Sequence, residues 1–280
     1  MAHQSRALIA LLLTLGLVVL LLPSVATAGP PKPPADSCLG TDACTGNTGS
    51  VQSNACVGFS KACFNNAGSI NKDACRNLPN SSNSQMCDGN TGAVGVGACQ
   101  GTLACQLNQG QVSKDACIGV SACNTNSGAV GLDACIGSRT CDSNSGSIAK
   151  HACHGAQACR GNSGSVGESS CVSDFQACLS NSGNIAKNSC KGDGSCRHNT
   201  AAVAAGSCIG VSACEGAGPD PDGSNGGGSI GTGACIGERA CKNNPGPIEA
   251  FTCNGDPDPI TGLGVCELPP PPQCLAASCS

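Results

Sequence analysis

The sequence predicts an all-β chain, a disulfide-rich β-solenoid of about twelve 18-residue coils whose handedness stays open. Three observations predict it. Between Cys99 and Cys159 the cysteine gaps alternate six and twelve residues, a period of 18. One Val or Ile recurs at a fixed place in each period. Gly, Asn and Ser are abundant in the unit, and each weakens a helix interior. Self-similarity at a short period means stacked units sharing one core, not a globule around a cleft.

Taken from the N-terminus, residues 1–28 read as a signal peptide. Arg6 gives a basic start, Ala7 to Leu22 is an apolar or small run, and Ala26-Thr27-Ala28 is a cleavage signal. An uncleaved anchor is the alternative, but the run is short for a span, which needs about 20 apolar residues. No later stretch is apolar enough to span a membrane, and Leu275 to Ser280 offers no hydrophobic tail for a lipid anchor. The expectation is an exported product without membrane insertion, secreted, extracellular or held at the cell surface. Residues 29–37 form a Pro-rich segment, 38–267 the Cys-rich repeats, and 268–280 a Pro-rich tail with a cysteine pair. Proline at both ends blocks edge-to-edge strand addition.

The chain has 26 cysteines, an even number, all beyond residue 28. In an exported chain that reads as a disulfide scaffold. Trp and Tyr are absent, and Phe59, Phe64, Phe175 and Phe251 are too few for an aromatic core. Small side chains and cystines must fill the interior, which implies a thin rod. Twelve coils at strand spacing would be about 55–60 Å long. Net charge is −4, and −5 once Arg6 is removed. Scarce Lys and Arg argue against nucleic acid and anionic membrane surfaces.

The unit reads C-I-G-x-x-A-C-x-x-N-x-G-x-[IV]-x-x-x-A, cleanest from Cys117 to Ala134. Twelve copies start at Cys38, Cys56, Cys75, Cys99, Cys117, Cys135, Cys153, Cys171, Cys190, Cys208, Cys235 and Cys253. Insertions at Asn77–Met86, Pro219–Gly227 and Asp256–Gly264 read as loops bulging from single coils. The unit suits short strands separated by turns. Asn-x-Gly is expected to supply positive φ at a corner. The Asn recurs as Asn47, Asn66, Asn90, Asn108, Asn126, Asn144, Asn162, Asn181, Asn199 and either Asn243 or Asn244. Stacked at about 4.8 Å, these side chains are placed for an amide ladder; solvated turns are the alternative. Val51, Ile70, Val94, Val112, Val130, Ile148, Val166, Ile185, Val203, Ile230 and Ile248 form the surest inward row.

Pairing the cysteines within coils gives Cys38 with Cys44, Cys56 with Cys63, Cys75 with Cys87, Cys99 with Cys105, Cys117 with Cys123 and Cys135 with Cys141. It continues with Cys153 and Cys159, Cys171 and Cys178, Cys190 and Cys196, Cys208 and Cys214, Cys235 and Cys241, Cys253 and Cys266, then Cys274 and Cys279. Joining each coil to the next would strand Cys38 and Cys279, so parity favours pairs within coils. Geometry objects: in a strict left-handed β-helix these cysteines would point outward on different faces, too far apart to bond. A flattened coil and pairing across coils both stay open.

Ile118 to Cys123 and Val130 to Cys135 both read [IV]-G-x-x-A-C, which is similar to the hexapeptide of left-handed β-helices. The third hexad departs from it. Over residues 38 to about 253 the chain also resembles, in architecture, the insect antifreeze β-solenoids, which bond cysteines six apart through a small core. Their double Thr-x-Thr rows have no counterpart here. The unit also looks like Cys-rich tandem repeats in exported proteins of algae and bacteria.

Sites of chemistry are sparse. His151 and His154 read as a surface pair, and Asp73, Asp115 and Asp133 as turn residues a whole coil or more apart. Lys114, Lys150 and Lys187 form a loose row without an acid cluster opposite. The expectation is no catalytic residue, no metal site and no cofactor, with calcium at Asp220 and Asp222 as a weak possibility. Asn80 heads the lone glycosylation sequon. The expected function is an exported structural or adhesive rod of the cell surface or extracellular matrix, its partner a wall or matrix glycan or an ordered surface. Alternatives are a lattice- or glycan-binding protein, ice or carbohydrate, and a secreted effector. For lattice binding the supporting row is Thr48, Thr91, Ser127, Ser145, Ser163, Ser182 and Thr200, read as lying at a corner.

Overall fold

The structure is a computed structural model that describes residues 31–78, 85–218 and 228–255. The expectations for the signal peptide, Asn80, Asp220, Asp222, Cys266, Cys274 and Cys279 fall outside the described residues. Among the described residues there is no helix, and the strands are short: β1 Leu39–Thr41, β2 Val57–Ser60, β3 His154–Ala156, β4 Val172–Phe175, β5 Ala202–Val203 and β6 Ser229–Ile230. They pair in parallel as β1–β2, β3–β4 and β5–β6. Single-residue parallel bridges continue the pairing. One column runs Val51, Ile70, Val94, Val112, Val130, Ile148, Val166, Ile185 and Val203, then through β6 to Ile248. A second runs Gln100, Ile118, Ile136 and His154, then through β4 to Lys191, Ile209 and Ile236.

The strands are short because each repeat divides its backbone between two neighbours. Cys123 and Ser127 donate to Thr140 and Asn144 of the next repeat, each at 2.9 Å. Gly119, Ser121, Thr125 and Val130 donate to Gln100, Thr102, Gln106 and Gln111 of the previous one, each at 2.8 Å. Residues at positive φ between these segments turn the donors over, so most pairing stops after one residue. The orphan backbone groups that a turn-rich core would carry are thereby satisfied.

Among the described residues eleven cystines close within repeats, from Cys38–Cys44 to Cys235–Cys241, with Cα separations of 5.4 to 5.9 Å. The geometric objection raised from sequence fails for a local reason. The cysteines do not sit in straight hexads. Cys117 and Cys123 have φ of 59° and 56°, and Gly119 between them has φ of 138°. These left-handed residues fold the five intervening residues back until the sulfurs meet inside.

Asn-x-Gly also works differently from the expectation. Neither Asn126 nor Gly128 has positive φ; Thr125, just before them, takes it at 52°. Asn126 instead turns its amide inward and donates to Gly128 O at 2.7 Å. Gly128 is required by close approach: a Cβ there would lie 1.9 Å from Gly146 O. The Asn row is a buried ladder. Each Nδ2 donates to the preceding Oδ1 at 2.7 to 2.9 Å, from Asn66 to Asn47 up through Asn199 to Asn181. With the Val/Ile row, the cystines and the small residue, most often Ala or Ser, that precedes nearly every cysteine, it completes a core without aromatics.

Candidate functional site

Alternation along Asn-x-Gly-x-[IV]-x sorts each repeat's side chains. Asn, Gly and Val or Ile are buried, and the three intervening positions look out. Because successive repeats pair in register, those positions align into three outward rows. The first holds the Thr48, Ser127 and Thr200 row; two more run beside it through Ser50, Ser147 and Ser165 and through Gln52, Ala149 and Gly167. The first row lies next to the backbone bend at Gly128 and its counterparts, at the corner expected from sequence, and the other two rows continue from it on one face. From Thr48 to Ala204 every outward position on this face is Ser, Thr, Ala, Gly, Asn or Gln. Shallow grooves follow it where the inner rows are smallest, over Ala129, Gly131 and Ala149, and over Ala186, Ala202 and Ala204.

Between Thr48 and Ala204 charged side chains lie outside these rows, and ion pairs form on either side of them in the sequence. On one, Lys114 Nζ lies 3.5 Å from Asp115, Lys150 Nζ lies 3.0 Å from Glu168, and Arg76 lies 3.9 Å from Asp73. His151 Nδ1 lies 3.8 Å from Asp133 Oδ2, while His154 Nε2 meets the Asp133 carbonyl at 2.7 Å. The two histidines thus converge on one residue, but through different atoms. Asp73 and Asp115 thus lie against Arg76 and Lys114, and Asp133 against His151.

On the other side Arg160 pairs with Asp142 at 3.6 Å. Farther along, Arg197 and Lys242 close on the buried Glu215, Lys242 at 3.4 Å. Burial pushes the Glu215 carboxyl upward, but hydrogen bonds from Arg197 and Ser212 and the charges of Lys242 and Arg197 outweigh it and hold its pKa below the ordinary value. The trio joins three successive repeats.

A third feature lies inside. Sulfurs of adjacent repeats approach: Sγ of Cys117, Cys123 and Cys135 all lie within 4.8 Å of one another, as do those of Cys135, Cys141 and Cys153. With every described cysteine in a disulfide, these sulfurs are not available as metal ligands.

Sequence reasoning found the first outward row and missed the two beside it. The period-two burial of Asn-x-Gly-x-[IV]-x carried the signal. That alternation runs on through the bend at Gly, so a corner alone does not disclose it. The extensive cystines suggest an extracellular or otherwise oxidising environment. No helix among the described residues is long and apolar enough to cross a membrane. A family model described as a domain of unknown function (DUF7640) matches residues 79–193 and again residues 170–266. No curated protein and no solved structure matches the chain.

Proposed function

We propose that this chain, which belongs to the DUF7640 family, is an exported β-solenoid that serves without catalysis as a structural or adhesive rod at the cell surface or in the extracellular matrix. The bridge columns are then the sides of closed 18-residue coils. One observation carries the reading: each repeat from Cys38 to Cys241 spends its inward positions on the same cystine and Val or Ile, nearly always with Asn. A chain built this way specifies a stiff stack. Each six- or seven-residue cystine loop restricts the unfolded chain by about 2 kcal/mol, not additively.

The second reading is binding to an ordered lattice, ice or crystalline glycan. The charge-free face supports it, since its side chains are short and uncharged and its rows repeat at strand spacing. A secreted effector has no specific observation in its favour.

The test combines small-angle scattering with co-sedimentation of the oxidised protein on insoluble wall and matrix polysaccharides. An elongated particle retained by one of these solids is expected. A compact particle, or protein left in every supernatant, overturns the rod. Inhibition of ice growth by the same sample, without polysaccharide binding, transfers the assignment to the second reading.

A further inference from the structure

We propose that the buried sulfur column is an exchange relay, in which a thiolate opened in one repeat attacks the cystine of the next and the free thiol travels along the stack. The second cysteine of one repeat lies close not only to its own partner but also to the first cysteine of the following repeat. Within 4.8 Å of one another lie the sulfurs of Cys117, Cys123 and Cys135, those of Cys135, Cys141 and Cys153, and those of Cys153, Cys159 and Cys171. The arrangement recurs nearer the N-terminus for Cys63, Cys75 and Cys87, and for Cys87, Cys99 and Cys105. A continuous path of sulfur contacts therefore joins Cys117 to Cys171.

The chemistry along that path is thiol–disulfide exchange. The Cys123 thiolate attacks Cys135 Sγ. The Cys123–Cys135 bond forms, the Cys135–Cys141 bond breaks, and Cys141 leaves as the thiolate. Cys141 then attacks Cys153 and releases Cys159, which faces Cys171. Each step makes one S–S bond and breaks one, so no oxidant or reductant is consumed. The proton lost by Cys123 is regained wherever the thiolate comes to rest. The product has a second pairing register, Cys123–Cys135 and Cys141–Cys153, which ties these repeats covalently to one another and leaves Cys159 as the free thiol. Burial favours this internal route. These cysteines are fully buried, so a bulk thiol reaches them poorly, whereas the neighbouring sulfur is held beside them. An external dithiol reductant, or loss of one partner, starts the relay. The proposal is independent of what the rod binds.

The test uses the full chain with Cys117→Ser, which leaves Cys123 without its partner. The folded protein is incubated in mildly alkaline buffer, its thiol is alkylated, and the disulfides are mapped by mass spectrometry. The relay predicts label on Cys141 and Cys159 as well as Cys123, in amounts within about tenfold of one another, together with a Cys123–Cys135 peptide. Adding Cys135→Ser and Cys141→Ser should return all label to Cys123. Label confined to Cys123 in the first variant overturns the relay, as does a dimer linked through Cys123. Wild-type protein opened by less than one equivalent of dithiol gives a second readout. Two labels in different repeats support the relay, and two labels always within one repeat overturn it.

Discussion

The repeats around Asn126 and those around Ala217 follow one plan, yet they are held by different forces. In the first region every amide is used. Asn126 donates to Asn108 Oδ1 at 2.8 Å and accepts from Asn144 at 2.8 Å, with its second proton on Gly128 O. In the second, Ala217 stands in the Asn column: Thr200 N donates to its carbonyl at 2.9 Å, as Ser182 N does to that of Asn199. The ladder stops there, and Asn199 Oδ1 is buried without a hydrogen-bond partner. It is in the same repeats that Arg197, Glu215 and Lys242 form their ion trio. Where the inner hydrogen-bond column breaks, a partly buried charge cluster clasps the outside. A repeat protein of this kind tolerates a lost rung when an adjacent column takes up the connection between neighbours.

Three substitutions bear on that comparison. The largest effect is expected from Asn126→Ala. It strands Asn108 Oδ1, the Gly128 carbonyl and one proton of Asn144 in a dry core, so the urea midpoint should fall by the equivalent of about 3 kcal/mol. A loss below about 0.5 kcal/mol would mean that the rungs are ornamental and the two regions do not differ. Next is Ala217→Asn, which gives Asn199 Oδ1 a donor and should stabilise the oxidised protein by about 1 kcal/mol in the same measurement. Destabilisation instead would show that backbone geometry, not residue choice, ended the ladder. The smallest effect concerns pH. The folded pKa of Glu215 lies below its ordinary value of 4.5, so its contribution is present above that value and is lost as pH falls through the folded pKa. Glu215→Gln should flatten this acid limb in thermal melts and leave stability around Asn126 unchanged, read by hydrogen exchange.

Much of the architecture was legible in advance because it repeats. The 18-residue period, the Val/Ile row and the candidate Asn ladder need only a count along the chain. Residues acting through unusual backbone geometry were not legible. Cys117 and Cys123 adopt φ near +57°, a region that sequence rules reserve for Gly and Asn, because closing a cystine across five residues demands it. Gly128 sits at a bend, as a turn former would, and is also a spacer for the carbonyl of the next repeat, a role the motif does not announce. The two outward rows beyond the Asn-x-Gly corner emerge only when Asn126, Gly128 and Val130 are all placed inside. The trio at Glu215 draws on three repeats and no local motif, so only the stacking brings it together.

The amide ladder has a direction. From Asn47 to Asn199 each carboxamide donates toward the N-terminal neighbour and accepts from the C-terminal one, so the side-chain dipoles add head to tail instead of cancelling. The backbone donors, which alternate up and down the stack, give no such sum. The interior thus carries a polarised filament with its electronegative terminus at Asn199 Oδ1, in the same stretch as the two cations that flank Glu215. Without a helix among its described residues, the molecule has built, from asparagine alone, an axial field of its own.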